Sequence, residues 1–217
     1  MDLAEAMTCA PTSRRFTSDP VPAGSLLRAL DLARFAPSGG NRQGWRVIVV
    51  RDPGRRRAIA DLYLPHWQAY IEQTGAAAVL ADPSSFEPRA VRMIRGADDY
   101  ARSLADVPVH LVIGVRLGDL AVTDAGLDRQ SIVGGASVYP FVQNLLLALR
   151  GEDLGASMTT LLVPAEEQVR ALLSIPDDVA LAAHVGVGRR ADAWPSSLSR
   201  RPVTDFAFSE RYGEPLQ

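Results

Sequence analysis

The chain has 217 residues, 47% of them apolar and 22% charged, a balance that suits a globular protein and excludes a disordered or fibrous one. At this length a chain buries about 70% of its unfolded surface and needs no disulfide or metal to hold it together. Net charge is −2, from 23 basic and 25 acidic residues, so the basic excess of a dedicated nucleic-acid binder is missing. All 23 basic side chains are arginine and none is lysine. That excludes a Schiff-base lysine, a P-loop lysine and a lysine general base. Any bound anion is held by arginine, whose planar fork stays charged.

Residues 1–10 suggest a short helix, and Cys9 is the sole cysteine, so no intrachain disulfide forms and no oxidising compartment is required. Met1–Pro11 has no basic stretch followed by an apolar run, so no secretory leader is expected. Leu26, Leu27, Leu30 and Ala33 recur at helical spacing between Pro22 and Pro37, which predicts an amphipathic helix. The loop Pro37-Ser-Gly-Gly-Asn41 leads into Trp45–Val50, a β-branched run that predicts a buried strand. Asp52-Pro53 opens a long helix expected to break near Pro65. Gly75–Arg95 is irregular, with a loop signal at Asp82–Ser85, and reads as a mobile cap or an inserted helical segment.

Val107–Val115 predicts the second strand, and a polar loop follows through Asp124 and Asp128. Tyr139–Arg150 predicts an apolar helix central to the core. Leu154–Leu162 predicts a short strand, and Pro164–Leu173 a helix whose Glu166 and Glu167 complement its N-terminal dipole. Val179–Gly188 predicts the last core strand, and a polar, proline-bearing tail runs from Arg189. Strands alternating with helices give a layered α/β or α+β fold. One domain spanning 1–217 is the expectation, with 63–100 as a helical cap. The longest apolar runs fall short of the ~18 residues a membrane span needs, and the expectation is a cytoplasmic protein with no membrane or nucleic-acid partner.

Several chemistries are absent. Gly186-Val-Gly188 lacks the third glycine and following helix of a dinucleotide fingerprint. No G-x-S-x-G elbow occurs. His66, His110 and His184 are far apart in sequence and show no metal-ligand spacing with cysteines or carboxylates. What remains is a set of anion-binding and backbone features: Thr12-Ser13-Arg14-Arg15, the paired-glycine loop at 37–41, Ser157–Thr160 at a strand end, and Arg200-Arg201 in the tail. A loop with paired glycines lets a flat ligand approach the main chain.

These features occur in the stretches SRRFTSDPVP, APSGGNRQGWRVIVV, GGASVYPFVQNLLLALRGEDLGASMTTLLVP and RRPVTDF. In that order they resemble the flavin-dependent nitroreductase family over nearly the whole chain. The resemblance implies an α+β three-layer sandwich with a mixed, mostly antiparallel sheet between helices. It implies a homodimer binding FMN at its interface, with NAD(P)H as reductant and a small-molecule acceptor. Thr12, Arg14 and Arg15 would contact the FMN phosphate or ribityl chain. Pro37, Ser38, Gly39, Asn41 and Gln43 form the loop that reaches the flavin from the partner subunit. Met158, Thr159 and Thr160 lie at the strand end that faces flavin N5 and O4, and Arg200 or Arg201 closes on the phosphate. The tail 189–217 would pack on the partner. Trp67, Phe86 and Tyr100 would shape the acceptor site if 63–100 forms a lid.

One family feature is missing. Relatives carry an arginine five or six residues before the phenylalanine that matches Phe16, where this chain has Pro11 and Ala10. A charge-assisted hydrogen bond of this kind is worth roughly 1.5–3 kcal/mol, or about tenfold to hundredfold in FMN affinity. Arg15 and Arg201 are the candidates to replace it. The same fold could instead use a deazaflavin, run another flavin reaction such as dehalogenation, or bind flavin without catalysis.

Overall fold

The computed structural model describes residues 1–216. Seven helices and four strands follow in the order α1 (Leu3–Cys9), α2 (Ala23–Ala33), β1 (Trp45–Val50), α3 (Pro53–Gln73), α4 (Ala76–Ala81), α5 (Pro88–Arg102), β2 (Val109–Arg116), α6 (Tyr139–Gly151), β3 (Gly155–Thr159), α7 (Glu166–Leu173) and β4 (Val179–Gly188). The sheet order is β1-β2-β4-β3, and every neighbouring pair is antiparallel. The only parallel pairing among the described residues is an isolated bridge between Thr12 and Ala156.

Strand alternation sends side chains to opposite faces, and each face has its own core. Leu111, Ile113, Val185 and Val187 point toward α2 and α6, where they meet Leu26, Ala29, Leu145 and Leu149. Val112 and Val50 point the other way, toward Ile59 and Tyr63 of α3, Tyr100 of α5 and Val169 of α7. The result is the expected helix–sheet–helix sandwich. Trp45 stacks on Phe141 at 4.9 Å between ring centroids, which fixes β1 against α6.

Two sequence expectations change, and after Gly75 the helical alternative holds. α3 runs unbroken through Pro65. Proline removes one N–H from the ladder, but Ile59, Tyr63, Trp67 and Ile71 recur every four residues on one buried face and hold both halves in line. The irregular stretch after Gly75 is two helices, α4 and α5, with Val91, Tyr100 and Ala101 of α5 buried. Dense surface charge on α5 masks its short apolar stripe in the sequence. The strand after α6 spans only Gly155–Thr159, because the backbone turns at Thr160, where Val163 N–H donates to the Thr160 carbonyl at 3.0 Å. From Arg189 onward the described chain holds no helix or strand beyond a single 3-10 turn at Val203–Asp205.

No helix among the described residues is long and apolar enough to cross a membrane. No group of three His, Cys, Asp or Glu side chains among them could hold a metal ion.

Candidate functional site

The site begins at β3, an edge strand whose free side is taken by residues 12–13. Ser13 N–H donates to the Ala156 carbonyl at 2.8 Å, and the buried Ser13 hydroxyl accepts from the Arg190 guanidinium at 2.8 Å. Gly155 makes this approach possible. A Cβ there would lie 2.6 Å from Arg190 Cγ and 2.7 Å from Ser13 Oγ.

Beside this junction lies a cavity of about 390 Å³, within the size range of small-molecule sites. Ala10 and Thr12 form one wall, Gln143 and Arg150 of α6 another, and Met158, Trp194 and Arg200 close it. Thr12, Met158 and Arg200 therefore line one cavity. The tail reaches the cavity because Leu198 N–H donates to the Thr8 carbonyl of α1 at 2.8 Å.

Other expected residues lie elsewhere. Arg14 and Arg15 line a shallower depression of about 170 Å³ with Asp99 and Asp106. Arg15 is paired with Asp192 at 3.0 Å and turns away from the larger cavity. Arg201 is exposed and makes no ion pair among the described residues. Thr159 Oγ1 accepts from Leu161 N–H at 3.1 Å, which closes the turn after β3, and Thr160 faces solvent.

The loop carrying Pro37, Ser38, Gly39, Asn41 and Gln43 does not line the cavity within the chain. Gly39 N–H donates to Ser137 Oγ at 3.1 Å, and Gln43 N–H to Ser38 Oγ at 3.0 Å. Gly40, Asn41 and Gln43 have φ of 60°, 52° and 51°. Two non-glycine residues in the left-handed region within three positions store backbone strain, a feature that clusters at ligand clamps.

The acceptor-shaping group divides. Trp67 and Tyr100 are 6% and 3% exposed and belong to the core under the sheet, so they pack the fold instead of forming a lid. Trp67 Nε1 donates to Asp98 at 2.8 Å. Phe86 is exposed. Sequence reasoning grouped them because an aromatic-rich segment looks alike whether it packs inward or outward.

Under the same core lies a polar cluster. His110 and His184 meet edge to face at 4.9 Å between ring centroids, both fully buried. His110 Nε2 pairs with the Leu104 carbonyl at 2.9 Å. His110 Nδ1, both His184 ring nitrogens and the Tyr100 hydroxyl have no partner among the described residues. Burial pulls the His110 imidazole down to about 4 and His184 well below its ordinary value. It pushes the Tyr63 and Tyr100 phenols up, with the charge of Arg14 pulling weakly the other way.

Gln143, Arg150, Arg190 and Trp194 are not singled out by the sequence alone. The one available signal was Trp194, a large aromatic residue stranded in a polar tail.

A four-stranded antiparallel sheet sheathed by helices carries a cavity lined by Arg150 and Arg200 against its edge strand. The chain belongs to the nitroreductase family, whose model matches residues 11–189. It is 32% identical over 185 residues to an NADH dehydrogenase of Thermus thermophilus, covering 84% of each chain. Among solved structures it resembles oxidized iodotyrosine deiodinase bound to FMN and 3-iodo-L-tyrosine, with a TM-score of 0.70 at 21% identity, covering 96% of this chain and 100% of that one. It also resembles an FMN- and NADPH-dependent nitroreductase from Sphigopyxis sp. strain HMH, with a TM-score of 0.69 at 20% identity, covering 98% and 100%. These likenesses establish the nitroreductase fold.

Proposed function

We propose that the chain is an FMN-dependent oxidoreductase that passes a hydride from NADH or NADPH to a flat, electron-poor acceptor such as a nitroaromatic, a quinone or an activated alkene. The observation that carries this reading is the cavity where Thr12, Met158 and Arg200 meet. Its donor set suits a phosphate-bearing ligand: Arg150 and Arg200 both reach it, and neither is paired with a carboxylate among the described residues. Arg150 also lies over the Trp194 ring at 3.9 Å, which holds its guanidinium at the cavity wall.

Bound FMN supplies the hydride chemistry, and the chain supplies position and electrostatics. Thr12 and Arg200 would hold the phosphate. Thr159 and Thr160 would offer hydroxyl and backbone donors to the flavin edge, where donors aimed at developing charge are most effective. The strained loop at 37–43 would reach a flavin on a second copy, which explains its distance from the cavity within one chain. Leu27, Leu32 and Phe35 on and just after α2 are 68%, 58% and 70% exposed, the kind of apolar surface a homodimer covers. The reading places the enzyme in the cytoplasm.

The test is direct. The purified protein should be yellow, release FMN on denaturation and bleach anaerobically on addition of NADH or NADPH. Reoxidation by a panel of nitroaromatics, quinones, activated alkenes and halogenated phenols would then assign the acceptor class. A colourless protein that binds no added FMN would overturn the proposal.

A further inference from the structure

The chain lacks an arginine at residues 10 and 11, yet the cavity beside them is not short of positive charge. Arg150 enters it from the last turn of α6. Its guanidinium carbon lies 3.9 Å from the centroid of the Trp194 ring, a cation–π platform. The ring is itself fixed, because Trp194 Nε1 donates to Asp153 at 2.7 Å. The two acids that follow Arg150 in sequence are both committed elsewhere. Glu152 takes Arg28 at 2.6 Å, and Asp153 takes Trp194 and faces Arg189 at 3.6 Å. Arg150 makes no ion pair or hydrogen bond among the described residues, and its Nε is buried without a partner. Arg190 lies against the same ring at 4.8 Å. Burial and the positive charge of Arg150 weaken its hold on its proton, with Asp192 pulling the other way.

An arginine that lines a cavity, is held on a fixed aromatic face and has no counter-ion is prepared for an oxyanion. Its side-chain ordering is largely complete before a ligand arrives. We propose that Arg150 is the phosphate ligand this chain uses in place of the arginine absent at Ala10 and Pro11, gripping the FMN phosphate together with Arg200. Arg15 lies on another surface, where it lines a different depression and faces Asp192. The assignment rests on the FMN reading above.

The experiment compares two ligands that differ only in the phosphate. Flavin-free protein is titrated with FMN and with riboflavin, following flavin fluorescence, for the parent and for Arg150→Met, Arg150→Lys and Arg15→Ala. Methionine keeps an apolar stem over Trp194, and melting curves establish that each variant is folded. We expect Arg150→Met to weaken FMN by tenfold or more with riboflavin unchanged within twofold, Arg150→Lys to fall between, and Arg15→Ala to match the parent. A purely structural role would weaken both ligands together. If Arg150→Met does not fold, Arg150→Gln gives the same comparison. A parent that prefers FMN to riboflavin, with an Arg150 variant that keeps the full preference, overturns the Arg150 assignment alone. A parent with no preference, or no flavin binding, overturns the FMN reading as well.

Discussion

Trp67 on α3 donates its indole N–H to Asp98 on α5 at 2.8 Å, and Arg102, one turn further along α5, donates to the other carboxylate oxygen at 2.7 Å. The two helices are thus joined by a hydrogen-bonded carboxylate at the edge of the lower core. Trp67→Ala should lower stability by about 3–5 kcal/mol. Asp98→Ala, which leaves a buried indole N–H unpaired, should cost about 1–3 kcal/mol. Denaturant melts of the two variants measure this. Unchanged melts with an altered preference between acceptors would return Trp67 to a lid.

The buried histidines set an acid limit. In the fold His110 and His184 are held neutral by burial, whereas an unfolded histidine takes up a proton near pH 6.5. Below that value the unfolded chain binds more protons than the folded one, so stability is complete above about pH 6.5 and falls as pH drops toward 4. For His110 alone, with its imidazole at about 4, the full loss is about 3 kcal/mol. Both His184 nitrogens lack partners, so His184→Leu should keep or raise stability at pH 7 and flatten the acid slope. Melting temperature against pH for parent and variant checks both points.

Gly155 sits where the N-terminal segment docks on β3. An added methyl would collide with Arg190 and Ser13. We expect Gly155→Ala to cost about 1–3 kcal/mol from overpacking and to weaken FMN, since Thr12 moves with Ser13. A variant that melts and binds like the parent would show that this contact is not needed.

Asp124 organises the loop before α6. It accepts from Ile132 N–H at 2.9 Å, Ser131 Oγ at 2.8 Å and Arg129 at 2.8 Å. The backbone N–H of Ile132 leads the contacts that hold its carboxyl down at about 2. Ala121 of that loop lies beside Gly39, whose N–H donates to Ser137 Oγ. Asp124→Ala should open residues 120–133 to limited proteolysis at pH 7. In the parent, protonation of Asp124 should remove the same restraint as pH falls from about 4 through about 2.

The proposed dimer has a simple test. Light scattering of the parent should give twice the mass of one chain, and Phe35→Glu, on the apolar surface after α2, should shift it toward a single chain with its melt little changed. A parent of single-chain mass at micromolar concentration would remove the partner-subunit role of the 37–43 loop.

Much of the sandwich was legible in the sequence, because β-branched runs such as Val109–Val115 and leucine spacing such as Leu26–Leu30 carry their period openly. Two features concealed the rest. Pro65 looks like a stop only when the four-residue spacing of Ile59, Tyr63, Trp67 and Ile71 is overlooked. In α5 the buried residues are separated by arginines and aspartates that face water. At the candidate site, family spacing points to Thr12, Met158 and Arg200, which line one cavity. It does not point to Arg150, because its importance lies in what its neighbours do: Glu152 and Asp153 look like its counter-ions until the fold gives them to Arg28 and Trp194.

Cys9 closes α1, is 3% exposed and immediately precedes Ala10 of the cavity wall. A thiol reagent can reach it only when α1 lifts away from α6, so its labelling rate reports the frequency of that excursion and not the exposure of the resting fold. Any ligand that bridges Thr12 to α6 should slow the reaction. With a single sulfhydryl and no lysine in the chain, the molecule carries one chemically addressable clock at the rim of its own cavity.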